Sequence, residues 1–511
     1  MLLLTLLACG WNQIPHGQYL NEDLPLWDAA SAVPTADGIY FSLPRAGALA
    51  LVPRARDASL VDLGEGRLTL LQGVEGTDVV VALVERTACD PEDERDLRRI
   101  DTVDACPDRY RVVSTDVMAV DDGAVLSSVS IDGRYNRLTF SDDARFAVAY
   151  LDFADPSLVL QGVVDLTSIV VLDLTTGRSQ LVNVGFAADR VRFQSGPSGE
   201  TTGLVVLSRS EVAQIDLAAE PWDVGTTFNL TLDPDSVVVP SAVELTPDGR
   251  YALITVDGQA DLYALDLEQH SINLLELAGR PSDLEVCETG DVTVVTYSDQ
   301  AVVEVFDHDR FEFDTYTLDE RMNRILEGDG FVVLFSDLGL KDAYRLDLAS
   351  GELVEYRLEN PPFDMQLAPT GEFAVAFTRA ESGGGGTELY DARPGMEVLD
   401  LLGDSTRPYL LEGRGVGLAF SEGDGRLDAL VLQENVRYLY QLDLYTGDAV
   451  TLDLDVPPAG IGSLADGTFL ITHATALGGV SFLEPSSGQL TSRFGFATLG
   501  LLDPIELVEA P

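Results

Sequence analysis

Residues able to do chemistry are sparse in this chain and seldom gathered. The four histidines, His16, His270, His308 and His473, stand far apart. Only His308 has carboxylates beside it, Asp307 and Asp309, and that trio falls where an apolar run ends in a polar turn. No HExxH pair or GxSxG nucleophile elbow occurs, so neither a zinc hydrolase nor an α/β-hydrolase triad can be assembled from local motifs. The run ESGGGG at 381 to 386 lacks the Lys-Ser/Thr that a phosphate-binding loop requires, which leaves it as a flexible connection. Asp90, Glu92, Asp93, Glu94 and Asp96 crowd one polar stretch. Calcium is the ion such carboxylates take, yet none of them forms the alternating oxygen-ligand loop with a central glycine. The expectation is therefore no catalytic residue, no metal site and no cofactor, with calcium the one ion kept in view.

Charge narrows the partners. Of 511 residues, 85 are acidic and 32 basic, a formal net charge of -53, and Lys341 is the only lysine. A surface of this sign repels phosphate backbones, which excludes nucleic acid as a partner. It is the surface of a heavily hydrated protein, with a cation or a cationic partner as the sharper alternative.

Besides Cys9, the cysteines are Cys89, Cys106 and Cys287. Cys89 and Cys106 bracket CDPEDERDLRRIDTVDAC, a polar stretch with no apolar period. The spacing suits no zinc pair and the histidines are remote, so a disulfide is expected, restraining the unfolded loop by about 3 kcal/mol. Cys287 lies in an apolar strand-like run and reads as a small buried hydrophobe.

At the N-terminus, MLLLTLLACGW sets Leu6, Leu7 and Ala8 directly before Cys9. This resembles the lipobox of bacterial lipoproteins, with an ordinary secretory signal as the alternative. The resemblance implies removal of residues 1 to 8, acylation of Cys9, a short tether over 9 to 28, and a cell-envelope address. Gly10 in place of aspartate is compatible with transfer to the outer membrane. No later run reaches the length of a membrane-spanning helix, so the membrane is expected to be met through the lipid alone.

The elements that must position any site come from a repeat. Asp248, Thr289, Asp329, Thr370, Asp424 and Asp466 each precede a glycine, at steps of 41, 40, 41, 54 and 42 residues. Looser copies occur at 35 to 43, 74 to 83, 141 to 150 and 198 to 208, giving about ten units. In each, a short apolar strand meets a glycine turn, a second apolar strand follows, and a third ends in apolar-Asp-Leu, as in VLDL at 171 to 174, ALDL at 264 to 267 and QLDL at 441 to 444. A tight turn and a fourth strand complete the unit. Four antiparallel strands every 40 to 50 residues describe a β-propeller blade. The fold class is all-β, with one propeller of about eight to ten blades over residues 29 to 511. Thr246-Pro247-Asp248-Gly249 resembles the turn of YVTN-type bacterial propellers, a likeness that implies the fold and hardly an activity.

Asp266, Asp347 and Asp443 are thereby read as strand-end hydrogen-bonding residues. Closure is expected to come from pairing of 505 to 509, or the strand before it, with residues near 30 to 45. Function should lie where the repeat is interrupted. The insertions at 88 to 108, 153 to 166 and 380 to 386 read as links between second and third strands, and 403 to 414 as a link between blades. All four then share one rim, with Asp93, Arg98, Asp155, Arg407 and Tyr409 as candidate binding residues. The sequence thus predicts an envelope protein that binds a protein or small-molecule ligand or acts as a scaffold. The alternative is a propeller enzyme, a lactonase-like hydrolase or a lyase, with its site near the central channel.

Overall fold

The computed structural model describes residues 27 to 498 apart from 37, 44–46, 65, 75–76, 90–109, 134, 153–165, 197–198, 209, 219, 231–239, 288–290, 381–392 and 424. The chain is an all-β propeller of ten four-stranded antiparallel sheets, each built from four consecutive strands in sequence order. We number the blades along the chain: 28 to 62, 67 to 132, 137 to 183, 190 to 229, 240 to 276, 281 to 317, 324 to 357, 362 to 410, 415 to 453 and 458 to 494. The described residues hold no helix long and apolar enough to cross a membrane.

Burial explains the composition of each strand. Second strands such as Tyr251–Val256 and Phe373–Thr378 are buried along their whole length, so they are continuous apolar runs. Fourth strands such as Ser271–Glu276 and Glu312–Thr317 are largely exposed and mix polar with apolar residues. The cores lie between blades rather than within them. Val205, Leu207 and Val212 of blade 4 pack on Val243, Ala252 and Ile254 of blade 5, and Phe331 and Val333 of blade 7 pack on Ala374 and Ala376 of blade 8.

Contacts gather the blades into two compact units, one holding blades 1 to 3 and 10, the other blades 4 to 9. In the first unit, blade 1 meets blade 10 face to face. Trp27 and Phe41 close on Phe496, with ring centroids 5.0 to 5.2 Å apart, and Arg54 pairs with Asp466 at 2.7 Å and Glu484 at 2.9 Å. The expected pairing of the strand before 505 with residues near 30 to 45 is corrected by this geometry. Residues 28–34 pair with 38–43 inside blade 1, and Gln489–Phe494 is the fourth strand of blade 10. Each blade already has four strands of its own, so the end blades need only bury apolar faces like any neighbours. Residues 505 to 509 lie outside the described residues.

The repeated acids and hydroxyls are turn caps. Thr246 Oγ1 donates to Asp248 Oδ1 at 2.6 Å and accepts the Tyr251 amide at 2.9 Å, while Gly249 takes φ 67. Ser141, Asp143 and Phe146 reproduce that network in blade 3, although Ala144 must there adopt φ 57. At the ends of third strands, the aspartate accepts amides two and three residues on. Asp266 does so at 3.0 and 2.7 Å, Asp443 at 3.0 and 3.1 Å, and Asp347 accepts the Ser350 amide at 2.8 Å.

Candidate functional site

These caps give blades such as 3, 5, 7 and 9 two unlike ends. At the turn end, first-to-second and third-to-fourth connections such as 141–146, 246–251, 266–271 and 443–449 are short and internally bonded. At the loop end lie the second-to-third connections and the passages to the next blade. The insertions over 88 to 108, 153 to 166 and 380 to 386 all leave at loop ends, in blades 2, 3 and 8. The stretch 403 to 414 does not: Ser405–Leu410 is the fourth strand of blade 8. Its Pro408 tolerates an outer strand because the missing amide faces no partner strand. The long passage between blades is 230 to 239 instead, from blade 4 to blade 5.

Arg407 and Tyr409 accordingly sit on a strand and reach the turn end of blade 9. The Arg407 guanidinium donates to the Leu444 carbonyl and the Tyr409 hydroxyl to the Gly447 carbonyl, the latter at 3.1 Å. Asp93, Arg98 and Asp155 lie outside the described residues, as do Cys9, Cys106 and the side chain of Cys89. Cys287 is fully buried, which pushes its thiol up to about 12. Asp307 is engaged by the Arg310 amide and guanidinium, both at 2.7 Å, which hold it below the usual carboxylate range. His308 bonds Thr293 Oγ1 at 2.7 Å, and burial lowers its pKa. Among the described residues no three His, Cys, Asp or Glu side chains gather as a metal would need.

One loop-end feature stands apart. A cavity of about 450 Å³ between blades 8 and 9 is lined by Phe363, Thr378, Arg379, Ala380, Pro394 and Arg414. Its floor comes from a fault in the ladder. First strands of blades 5, 6, 8, 9 and 10 all shift register after their first residue, leaving one extra residue unpaired: Ser241, Ser282, Phe363, Val416 and Ala459. Such bulges re-aim a side chain out of the alternation. In blades 5 and 6 the re-aimed residue is serine, bonded back to the second strand at Thr255 Oγ1 (2.9 Å) and the Thr296 carbonyl (3.1 Å). In blade 8 both partners are aromatic: Phe363 stacks on Phe377 at 6.2 Å. Gly415 permits this, since a Cβ there would run into the Phe377 ring.

Two guanidiniums cover the ring. Arg414 lies 4.4 Å and Arg379 5.8 Å from the Phe363 centroid. The backbone holds both in place. The Arg379 amide donates to the Pro361 carbonyl at 3.0 Å, and the Arg414 carbonyl accepts the Glu434 amide at 2.7 Å. Just before Arg414, buried Gln433 accepts the amides of Glu412 and Gly413 at 2.9 and 3.1 Å. Among the described residues neither arginine forms an ion pair. Asp337 feels the Arg379 charge but spends its oxygens on Asn323 and Arg324, at 2.8 and 2.9 Å.

A second cluster lies along the first strands of blades 5 to 7, which contact one another in sequence. Glu244, Glu285 and Glu327 recur one blade apart, with Asp283 beside them. Burial pushes the Glu285 carboxyl up to about 7, reinforced by Glu244, Glu327 and Asp283. Asp283 is raised by burial too, although it accepts the Ile325 and Leu284 amides at 3.0 and 3.1 Å. Sequence reasoning missed both clusters because it sought neighbours along the chain. The signal was the repeat itself: an acid returning at one blade position, and an aromatic where sister blades carry serine, valine or alanine.

No protein-family model matches the chain, and no curated protein is detectably similar to it. Solved structures resemble it distantly. The dihydro-heme d1 dehydrogenase NirN superposes with a TM-score of 0.39 at 14% identity, over 67% of this chain and 77% of that one. Hydrazine synthase of Kuenenia stuttgartiensis gives 0.34 at 16%, over 59% and 94%. A eukaryotic initiation factor gives 0.47 at 10%, over 74% and 87%. At these levels the likeness carries nothing about activity.

Proposed function

We propose that this chain is a lipid-anchored propeller of the bacterial cell envelope, of the YVTN-like kind, that binds a small-molecule or protein ligand at its loop ends. The observation that carries the binding reading is the cavity between blades 8 and 9, where a re-aimed phenylalanine lies under two backbone-anchored arginines. Turn-end polar groups such as Asp266 and Asp443 are consumed by the fold; these guanidiniums keep donors turned to solvent. Lipobox-like LLAC before Gly10 supports the address, with an outer-membrane destination and no nucleic-acid partner. Two measurements test the reading. Mass spectrometry of the mature N-terminus is expected to find diacylglycerol on Cys9, and an unmodified thiol there removes the anchor. A thermal-shift screen, with pull-down from solubilised membranes, is expected to return a ligand whose effect disappears in the Arg379→Glu/Arg414→Glu double variant. Ligands indifferent to that variant would move binding away from this end.

A second reading rests on the carboxylates of blades 5 to 7. A glutamate titrating near neutrality among other acids is poised for proton transfer, as a hydrolase or lyase would use it. Loss of a turnover found by substrate screening in Glu285→Gln, with the fold intact, would favour the enzyme; unchanged turnover would remove it.

A further inference from the structure

We infer that the cavity between blades 8 and 9 is a site for a small organic carboxylate with a flat apolar body. This rests on the reading of the loop ends as binding ends and names the ligand class.

The argument begins with charge. In a chain of net charge -53, two guanidiniums share one aromatic ring with no ion-paired carboxylate among the described residues. Placing two cations together is unfavourable unless an anion sits between or beside them, and a partly enclosed wall strengthens that preference. A guanidinium held over a ring face leaves its N–H groups free to grip a carboxylate through two parallel hydrogen bonds.

The rest of the lining selects the body of the ligand. Phe363, with the buried Phe377 ring stacked behind it, is the apolar floor, and Ala380 and Pro394 add further apolar wall. A bare inorganic anion would leave that surface wet. At about 450 Å³ the space falls within the range of small-molecule sites, ample for a single aromatic ring with its acid group.

Specialisation of blade 8 is the independent support. At the same bulge position blades 5 and 6 use serine to bond back to their own second strand, a structural closure. Blades 9 and 10 carry Val416 and Ala459 there, and of these five bulged blades only blade 8 places a ring at the bulge, stacked on a second ring. The main chain of Arg379 and Arg414 is hydrogen-bonded in place, so ordering on binding is confined to their side chains.

The test uses the full-length chain with three probes of matched size or charge: benzoate, inorganic phosphate and benzylamine. Binding is followed by calorimetry and by ligand-detected NMR. Benzoate is expected to bind saturably, to weaken about tenfold in Arg414→Gln and in Arg379→Gln, and to weaken several-fold in Phe363→Leu. All three variants are checked by thermal denaturation, and the two arginine changes at exposed positions are expected to leave melting unchanged. Phosphate or benzylamine bound in preference, with sensitivity to Arg414→Gln, would overturn the carboxylate class while leaving loop-end binding intact. No saturable benzoate binding, or binding indifferent to both arginine variants, would overturn the inference. The loop-end reading itself falls only if the wider screen also returns nothing sensitive to the double charge reversal.

Discussion

The two ends of blade 8 are built from the same strands and obey different rules. At its turn end, Asp400 accepts the Leu402 and Gly403 amides at 3.2 and 2.7 Å, as Asp173 and Asp266 accept amides of their own turns. At its loop end the positions that sister blades give to Ser241 and Ser282 belong to Phe363, and two arginines lie over it. Repetition marks what the fold requires of each blade. Departure from repetition, at a position the fold has already satisfied elsewhere, marks what the fold does not explain.

This contrast separates stability from binding, and it can be broken in stages. The largest effect is expected at the turn end. Asp266 is 2% exposed, caps two amides and pairs with Arg250 at 3.3 Å. Asp266→Ala should cost about 2–4 kcal/mol in urea unfolding, because buried donors lose a charged acceptor. A loss under a few tenths of a kcal/mol would mean the repeated aspartates are not structural.

A smaller change of opposite sign is expected in blade 3. Ala144 holds the left-handed conformation that Gly249 holds in the equivalent turn. Ala144→Gly should stabilise by up to about 1 kcal/mol, since the Cβ strain exceeds the entropy that glycine gives back. A destabilised variant would show that the two turns are not equivalent.

Glu285 sharpens the comparison through pH. Its folded pKa, about 7, lies above the ordinary value of 4.5, so the folded state holds its proton more tightly than the unfolded chain. Its contribution is full below pH 4.5 and is lost as pH rises through 7. Glu285→Gln should flatten the fall in melting temperature between those values, and an unchanged slope would assign it to other groups.

The smallest stability effect is expected at the loop end. Arg414→Gln should alter unfolding by no more than about 0.5 kcal/mol, its ring contact being solvent-facing. A larger loss would make the arginine part of the scaffold.

Much of the architecture was legible because turn chemistry is local. Asp248-Gly249 and the apolar-Asp-Leu ends sit on fixed offsets, and even SDDA at 141 to 144 bends as TPDG does. The strand at 405 to 410 was misread because its Pro408 and lack of alternation look like a loop, while an outer strand demands neither a full set of amides nor a buried face. The cavity was invisible because its parts come from two connections, a strand end and a bulge. Phe363, Arg379 and Arg414 are ordinary residues until the ladder slips by one and turns the ring toward the arginines.

The most direct measurement is the shift in melting temperature that a loop-end ligand causes, taken side by side in the unaltered protein, Asp266→Ala and Arg379→Glu/Arg414→Glu. The account predicts that Asp266→Ala melts earlier yet keeps the full ligand-induced shift, whereas the double arginine variant melts normally and loses it. Loss of the shift in Asp266→Ala with retention in the arginine variant would contradict the division between the two ends.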